Sequence, residues 1–215
     1  MEFTNFHELV SKIKNMPLPG EESHNKMAPE ARIQEINKWK LTKKEPRQAG
    51  VISLFYPDRQ DQTRFLLILR KTYNGVHSNQ VGFPGGKVEL SDRNIQETAL
   101  RETWEEVGVK PQEIQLVKPV TEIFIPPSNF MVHPFIGLTQ TTPKFVPQQT
   151  EVEQIIEVLF SDFMDDRFET SQTLSTSYAQ NITVPTFKLN DFTVWGATAM
   201  ILSEIKDLFK KSIEL

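Results

Sequence analysis

The chain has 215 residues, of which 38% are hydrophobic and 24% charged, with a formal net charge of -4. This composition suits one ordinary domain with a sizeable core and argues against wholesale disorder. The mild acidity is unlike the basic footprint of nucleic-acid binders, and the absence of cysteine excludes a disulfide framework, a thiolate metal site and a cysteine nucleophile.

Two signals for membrane targeting are missing from the sequence. No basic start is followed by an apolar core, as a signal peptide requires. The apolar runs, such as 51–56 and 65–69, have the length of strands rather than the roughly 18 residues of a membrane-spanning helix. We therefore expect a soluble cytoplasmic protein with neither a membrane nor a nucleic acid as partner.

Residues 1–47 are predicted to form a helical arm. Apolar residues recur at helical spacing over 3–13, and the prolines and glycine of 17–20 end that pattern. A second helix is predicted over 29–44, opening at Pro29.

Residues 48–215 are predicted to form the main domain. Runs of β-favouring residues predict a hairpin with strands over 49–56 and 64–70. The other predicted elements are strands over 113–124, 131–139, 153–159 and 182–188, and helices over 94–107 and 192–210. Strands flanked by helices in this order favour a mixed α/β domain of stacked layers.

The helix predicted over 94–107 is the best specified element. Asn94 is a suitable N-cap with Glu97 three residues later, as in a capping box, and Gly108 suits the left-handed C-cap. The apolar residues, including Trp104, are expected on one broad side of the helix.

Glu102, Glu105 and Glu106 are expected on the opposite side, at spacings that bring like charges together. A divalent cation would remove that repulsion, and carboxylate oxygens suit Mg²⁺ or Mn²⁺ rather than a soft metal. Solvated helix faces often show the same pattern, so the glutamates alone favour a plain surface.

The neighbouring residues shift that balance toward a ligand site. The segment Phe83-Pro84-Gly85-Gly86 directly precedes the helical unit, and its glycines permit a backbone path that approaches a ligand closely. Arg101 is at helical spacing from both Glu97 and Glu105 and is able to pair with either.

The segment 85–109 resembles the signature of the Nudix hydrolases. Residues 101–109, RETWEEVGV, match its second half, with Thr103 in place of an aliphatic residue. In the first half, five residues separate Gly86 from Asp92, and eight separate Asp92 from Arg101, one more than in the signature. This spacing resembles the coenzyme A pyrophosphatase branch of the family.

The stretch 66–86, LLILRKTYNGVHSNQVGFPGG, is similar to a second motif of that branch. Arg70, His77, Gln80 and the final FPGG match, whereas Gly75 stands where that motif has an arginine. Further similar segments extend the resemblance over nearly the whole chain.

The resemblance implies a Nudix α/β/α sandwich with a mixed β-sheet that uses Mg²⁺ or Mn²⁺ to hydrolyse a nucleoside diphosphate linkage. The implied substrate is a small-molecule nucleotide, foremost coenzyme A or acyl-CoA, giving 3′,5′-ADP and (acyl-)4′-phosphopantetheine. The alternatives are ADP-ribose or another nucleoside diphosphate derivative, a non-catalytic nucleotide-sensing module, and a structural domain with an acidic helix. The sequence leaves a homodimer open.

Carried over by position, the resemblance also implies roles for single residues. The implied metal ligands are Glu102, Glu105 and Glu106, and the implied catalytic residues are Glu105, Arg101, which would orient a carboxylate, and Glu151. Glu151, in a polar loop before a strand, is a candidate general base or further ligand, with a solvated acid beside Glu153 as the alternative.

The implied substrate-binding residues are Arg70, His77, Gln80, Gly85 and Gly86. Arg70, at a strand end, suits a phosphate oxygen. Plain structural roles remain open for the loop histidine and the two glycines.

Overall fold

The structure, a computed structural model, describes residues 1–40, 45–72, 79–174 and 181–214. The helices in this part of the chain are α1 (Phe3–Ile13), α2 (Glu21–Lys26), α3 (Glu30–Lys40), α4 (Ile95–Val107), α5 (Phe160–Met164) and α6 (Gly196–Ile213). The strands are β1 (Arg47–Pro57), β2 (Thr63–Arg70), β3 (Val81–Gly82), β4 (Gly85–Lys87), β5 (Gln115–Pro119), β6 (Ile123–Ile125), β7 (Phe130–Leu138), β8 (Val152–Leu159), β9 (Glu169–Leu174), β10 (Ile182–Leu189) and β11 (Phe192–Val194).

The main sheet is mixed. Its central strand β1 pairs antiparallel with β2 and β4 and parallel with β7. Strands β3 and β8 extend the sheet beyond β2, and β5 and β6 pair with β7. Strands β9, β10 and β11 form a separate antiparallel sheet.

The alternation of side chains along β1 builds a core on each face of the sheet. Ile52 and Leu54 are fully buried against α4, where Ala99 belongs to the same cluster. Phe55 points to the other face and stacks on Phe6 of α1, with ring centroids 5.0 Å apart, in the cluster that also contains α6. Helices therefore cover both faces, which confirms the expected α/β/α sandwich.

The N-terminal helices pack on the layer that α6 forms. Glu204 of α6 is fully buried and accepts hydrogen bonds from the backbone N–H of Gly20, from His24, and from both the backbone and hydroxyl of Thr121, at 2.6–3.0 Å. One carboxylate thus joins the α2 region, the segment between β5 and β6, and the last helix.

The last helix begins later than the sequence pattern predicted. Residues 192–194 form β11 rather than the first helical turn, so Val194 packs from a strand. The backbone of Trp195 is extended and that of Gly196 has φ of 63°, which separates the strand from the helix.

The strand predicted over 113–124 is divided into β5 and β6. Between them, the backbone N–H of Thr121 donates to Glu204 rather than to a neighbouring strand, which interrupts the ladder. Helix α2 follows Gly20 and has a polar sequence, EESHNK, that carries no helical apolar stripe. In the described part of the chain, no helix combines the length and apolar character needed to cross a membrane.

Candidate active site

A cavity of about 500 Å³ opens between α4, the middle of the main sheet and the beginning of α6. Its wall contains five carboxylates and, from the sheet, both glycines of β4 together with apolar side chains of β6 and β7. The carboxylates belong to Glu89, Glu102, Glu105, Glu106 and Glu151. The structure therefore brings the loop acid Glu151 to the same cavity as the helical glutamates.

Helix α4 has both end caps that the sequence predicted. The side chain of Asn94 accepts a hydrogen bond from the backbone N–H of Glu97 at 2.9 Å, and Gly108 is left-handed, with φ of 79°. The capping box is not reciprocal, because the Glu97 carboxylate accepts from the backbone of Arg93 instead of Asn94. These caps fix where the helix begins and ends relative to β4.

The faces of α4 differ from the expected division at two positions. Glu106 is only 1% exposed, whereas Trp104 is 51% exposed. At 100° per residue, Glu106 lies within the buried stripe that passes through Ala99 and Thr103, while Trp104 lies roughly 130° round the helix from the centre of that stripe. The predictions that Glu106 lies opposite the apolar side of the helix and that Trp104 lies on that side were therefore wrong.

Arg101 organises the polar edge of α4. Its guanidinium binds both carboxylate oxygens of Asp92 at 2.9 Å, and one of its nitrogens also contacts Glu102 and Glu105 at 3.0 and 3.1 Å. The hydrogen bonds from Arg101 lower the pKa of Asp92 well below its usual range. Of the two partners predicted for Arg101, Glu105 is in contact, whereas Glu97 pairs with Arg93.

Glu106 is held by one cation and one backbone amide. Its oxygens accept hydrogen bonds from Arg70 at 3.0 Å and from the backbone N–H of Gly85 at 2.8 Å. Burial raises the pKa of Glu106 to about 7, and the charges of Glu102 and Glu151 act in the same direction. Arg70 also donates to the carbonyl of Gly85 at 2.9 Å, so this arginine ties β2 to both β4 and α4.

Both glycines of β4 are required by close contacts. Gly85 has φ of 142°, and a Cβ there would stand 2.3 Å from the carbonyl of Gly50. At Gly86, a Cβ would stand 2.4 Å from the carboxyl carbon of Glu102. Absence of a side chain at Gly86 thus leaves room for a half-buried carboxylate, whose pKa is raised by burial.

The loop before β8 is fastened to the C-terminal end of α4. The backbone N–H groups of Val146 and Gln148 donate to the carbonyls of Val107 and Glu106, both at 2.9 Å. Glu151 follows in the same loop with an exposed side chain. Burial is the largest cause of the raised pKa values of Glu102 and Glu106, and the charge of Glu151, which lines the same cavity, acts in the same direction.

The donor set fits a hard divalent cation, although the carboxylates now have other partners. Within the described residues, no three acidic or histidine side chains stand close enough to hold one ion together. Arg101 binds Glu102 and Glu105, while Arg70 and Gly85 bind Glu106. Carboxylate oxygens are the ligands that Mg²⁺ or Mn²⁺ prefers. Burial, with a contribution from neighbouring carboxylates, raises the pKa values of Glu102 and Glu106, and a bound cation would offset both effects.

The remaining predicted residues fall in three places. Gln80 lines the cavity. His77 and Gly75 lie outside the described residues. Trp195, just before α6, is half-buried and is not part of the cavity wall.

Sequence reasoning missed Lys87 and the apolar wall, which includes Phe130 and Val132. Lys87 follows the two glycines directly, and Phe130 and Val132 alternate along a strand whose existence was predicted. Alternation shows that these two side chains share a face, but only the pairing of β7 with β1 shows that this face meets the cavity.

Comparisons with known proteins agree with this architecture. A model of the NUDIX domain family matches residues 44–173, which is more than half of the chain. Among curated relatives, the peroxisomal coenzyme A diphosphatase ndx-8 of Caenorhabditis elegans is 31% identical over 157 residues, covering 72% of this chain and 65% of the relative. The Nudix hydrolase NudL of Pectobacterium atrosepticum is 31% identical over 164 residues, covering 74% and 81%.

A mitochondrial relative and a solved structure complete the comparison. Nudix hydrolase 15 of Arabidopsis thaliana is 30% identical over 162 residues, and this chain covers 56% of its length. The crystal structure of the Nudix hydrolase RenU from M. smegmatis has a TM-score of 0.54 at 14% identity, covering 77% of this chain and 87% of that one. The chain thus spans 65% and 56% of the ndx-8 and mitochondrial relatives, and the structural likeness supports the fold.

Proposed function

The chain belongs to the Nudix family, and from this premise we propose that it is a metal-dependent pyrophosphohydrolase acting on coenzyme A or acyl-CoA. The products would be 3′,5′-ADP and (acyl-)4′-phosphopantetheine. One observation carries the proposal: Glu102, Glu105, Glu106 and Glu151 line a single cavity, beside glycines that leave room for close approach.

In this proposal Glu102, Glu105 and Glu106 hold Mg²⁺ or Mn²⁺. When bound, the metal supplies charge neutralisation at the diphosphate and lowers the pKa of a bound water. Arg101 keeps the carboxylates of Glu102 and Glu105 oriented toward the same side of α4.

Glu106 and Arg70 act as a unit. The backbone N–H of Gly85 holds one oxygen of Glu106, and Arg70 occupies the other. With Glu106 as a metal ligand, the guanidinium of Arg70 would be available to bind a phosphate oxygen of the substrate. Arg70 lines the cavity, as this role requires.

Glu151 is proposed as the general base. Water forms a bond to one phosphorus of the diphosphate, the bond from that phosphorus to the bridging oxygen breaks, and Glu151 accepts the proton that the water loses. The exposed loop position lets this carboxylate reach a water without being fixed in the helix.

Coenzyme A is favoured over the alternatives by two observations. The motif over 66–86 resembles the coenzyme A branch, and the relative from Caenorhabditis elegans is named a coenzyme A diphosphatase. A purely nucleotide-sensing module would have no need of the full set of glutamates that this chain keeps. A cytoplasmic location and a homodimer stay predictions, and the relatives' names include peroxisomal and mitochondrial proteins.

The proposal is tested by a panel of diphosphate substrates assayed with Mg²⁺ and with Mn²⁺. We expect a higher kcat/KM for coenzyme A than for ADP-ribose, and loss of activity when the metal is chelated. Glu105→Gln should lower turnover by orders of magnitude, whereas Glu97→Gln, on the same helix but paired with Arg93, should not. Preference for ADP-ribose would overturn the substrate assignment, and full activity of Glu105→Gln at limiting Mg²⁺ would overturn the ligand assignment.

A further inference from the structure

Arg47, the first residue of β1, lies beside the cavity and has no acidic partner among the described residues. Its side chain is exposed, and its guanidinium carbon lies 4.1 Å from the centroid of the Phe130 ring. Phe130 is part of the cavity wall. An unneutralised positive charge therefore stands at the edge of the proposed substrate site.

Two contacts hold the guanidinium in place. It lies over the ring of Phe130, a favourable cation–π arrangement, and one terminal nitrogen donates to the carbonyl of Ser128 at 2.6 Å. The backbone N–H of Arg47 donates to Asn129 at 2.9 Å, which anchors the start of the strand. A guanidinium has five N–H donors, so several remain for a ligand while the planar group is already oriented.

The register of the sheet places Arg47 on the cavity side. Ala49 and Val51 line the cavity, and residues two apart on a strand share a face. Arg47 and Phe130 are partners in the parallel β1–β7 register, as are Ala49 and Val132. The side chain of Arg47 thus continues the wall that these four residues form.

The charge of this wall changes along β1. Val51 pairs with Gly85, whose N–H binds Glu106, so the carboxylate end of the cavity lies there. Ala49 pairs with Lys87, another cation for which no carboxylate partner is found in the described part of the chain. Arg47 lies four residues, or roughly 13 Å, from Val51 along the strand. The cationic edge is therefore separate from the place where the diphosphate would be cleaved.

We propose that Arg47 recognises a phosphate monoester that the nucleotide carries outside the scissile diphosphate. A fixed guanidinium with free N–H donors matches phosphate geometry and binds it through charge-assisted hydrogen bonds. The identity of this group rests on the proposed function, under which it is the 3′-phosphate of coenzyme A. ADP-ribose has no such group, so this contact would contribute to substrate choice.

The test compares the binding of 3′,5′-ADP and 5′-AMP to the full chain by calorimetry without added metal. These two ligands differ only in the 3′-phosphate. The unmodified chain should bind 3′,5′-ADP roughly tenfold or more tightly, and Arg47→Gln should reduce that ratio to about one. Arg47→Lys should retain part of the ratio, because lysine keeps the charge but not the planar fork.

The matched control is Arg59→Gln, which removes the same charge from an exposed turn between β1 and β2. Its ratio should equal that of the unmodified chain. The proposal is overturned if the unmodified chain shows no preference, if Arg47→Gln keeps the full preference, or if Arg59→Gln loses as much.

Binding and hydrolysis separate this proposal from the proposed function. A chain that hydrolyses coenzyme A but whose 3′,5′-ADP preference does not depend on Arg47 contradicts this proposal alone. A chain that shows the Arg47-dependent preference yet leaves coenzyme A intact contradicts the substrate assignment and leaves the phosphate contact standing.

Discussion

Two buried glutamates occupy the helical layers on opposite faces of the sheet, and their surroundings differ. Glu204 of α6 accepts four hydrogen bonds, from Gly20, His24 and Thr121. Burial opposes its charge, but these hydrogen bonds outweigh burial and lower its pKa. Glu106 of α4 accepts bonds from Arg70 and Gly85, and there burial prevails and raises the pKa to about 7.

The difference indicates how a buried acid is used. A carboxylate whose oxygens are saturated by donors from two other chain segments joins those segments to its own helix and stabilises the fold. A carboxylate with fewer donors and with other carboxylates beside it is poorly stabilised in its ionised form, so a bound cation would stabilise it further. Glu204 is of the first kind and Glu106 of the second, so substitutions at the two positions should affect different properties.

The largest expected effect is the loss of turnover in Glu106→Gln. Removing one ligand charge should lower kcat by roughly 10⁴-fold, because metal stabilisation of the transition state contributes several kcal/mol. The fold should persist, since glutamine can still accept the hydrogen bond from Gly85. Steady-state kinetics at limiting Mg²⁺, with circular dichroism of the same sample, measure both properties. Near-full activity would show that Glu106 is not a metal ligand, and the proposed difference in role between Glu106 and Glu204 would be wrong.

Glu151→Gln should lower kcat by roughly 10²–10⁴-fold, the usual range for a lost general base. The adjacent acid Glu153 pairs with Lys71 and provides the matched control, Glu153→Gln. A smaller loss of kcat accompanied by a raised metal requirement would assign Glu151 a ligand role instead. Unchanged kinetics, or an equal loss in the control, would exclude it from the mechanism.

The sequence predicted the parts of this site that are local. Asn94 and Gly108 are residue types that suit the backbone conformations at the two ends of α4. The bounds of the helix, and the presence of the glutamates on it, could therefore be predicted from nearby residues alone. The helical period already places Glu106 on the face of Ala99 and Thr103. The partners of Glu106 did not follow from nearby residues, because Arg70 and Gly85 belong to other strands.

The structural role of Glu204 could not be predicted from nearby residues for the same reason. Glu204 meets partners 83 and more positions away, and its bond to Thr121 divides a predicted strand. The start of α6 was misplaced because the residues of 192–194 suit a helix or a strand, and pairing with β10 decides between them.

Glu204→Gln should destabilise the fold by about 1–3 kcal/mol at pH 7, because donors that are buried lose a charged acceptor. A carboxyl whose pKa is lowered by folding stabilises the protein above its unfolded pKa, here near 4.5, and this contribution is lost as the pH falls through the folded value. The difference in the free energy of unfolding between the unmodified chain and Glu204→Gln should therefore become smaller below about pH 4.5.

Urea unfolding at pH 7 and at pH 3.5 measures this difference, with exposed Glu22→Gln of α2 as the control. Equal stability of the two proteins at pH 7, or a difference that does not change with pH, would contradict the role given to Glu204. A loss of turnover per folded molecule in Glu204→Gln as large as that in Glu106→Gln would also contradict a purely structural role for Glu204.

The smallest expected effect concerns the N-terminal cap of α4. Unlike α6, which Glu204 joins to two other segments, α4 has no buried carboxylate with a full set of hydrogen bonds. Its N-terminus relies on the Asn94 side chain, which accepts from the N–H of Glu97, and Asn94→Ala should cost about 1 kcal/mol of stability. Asn94→Asp keeps an acceptor at the same place and should lose much less. Because the bidentate Arg101–Asp92 pair also holds the beginning of this helix, turnover should fall less than about threefold.

Urea unfolding and kcat of both variants test this prediction. If aspartate destabilises as much as alanine, the cap does not position α4, and if Asn94→Ala loses turnover far beyond its stability cost, the cap belongs to the site's own geometry.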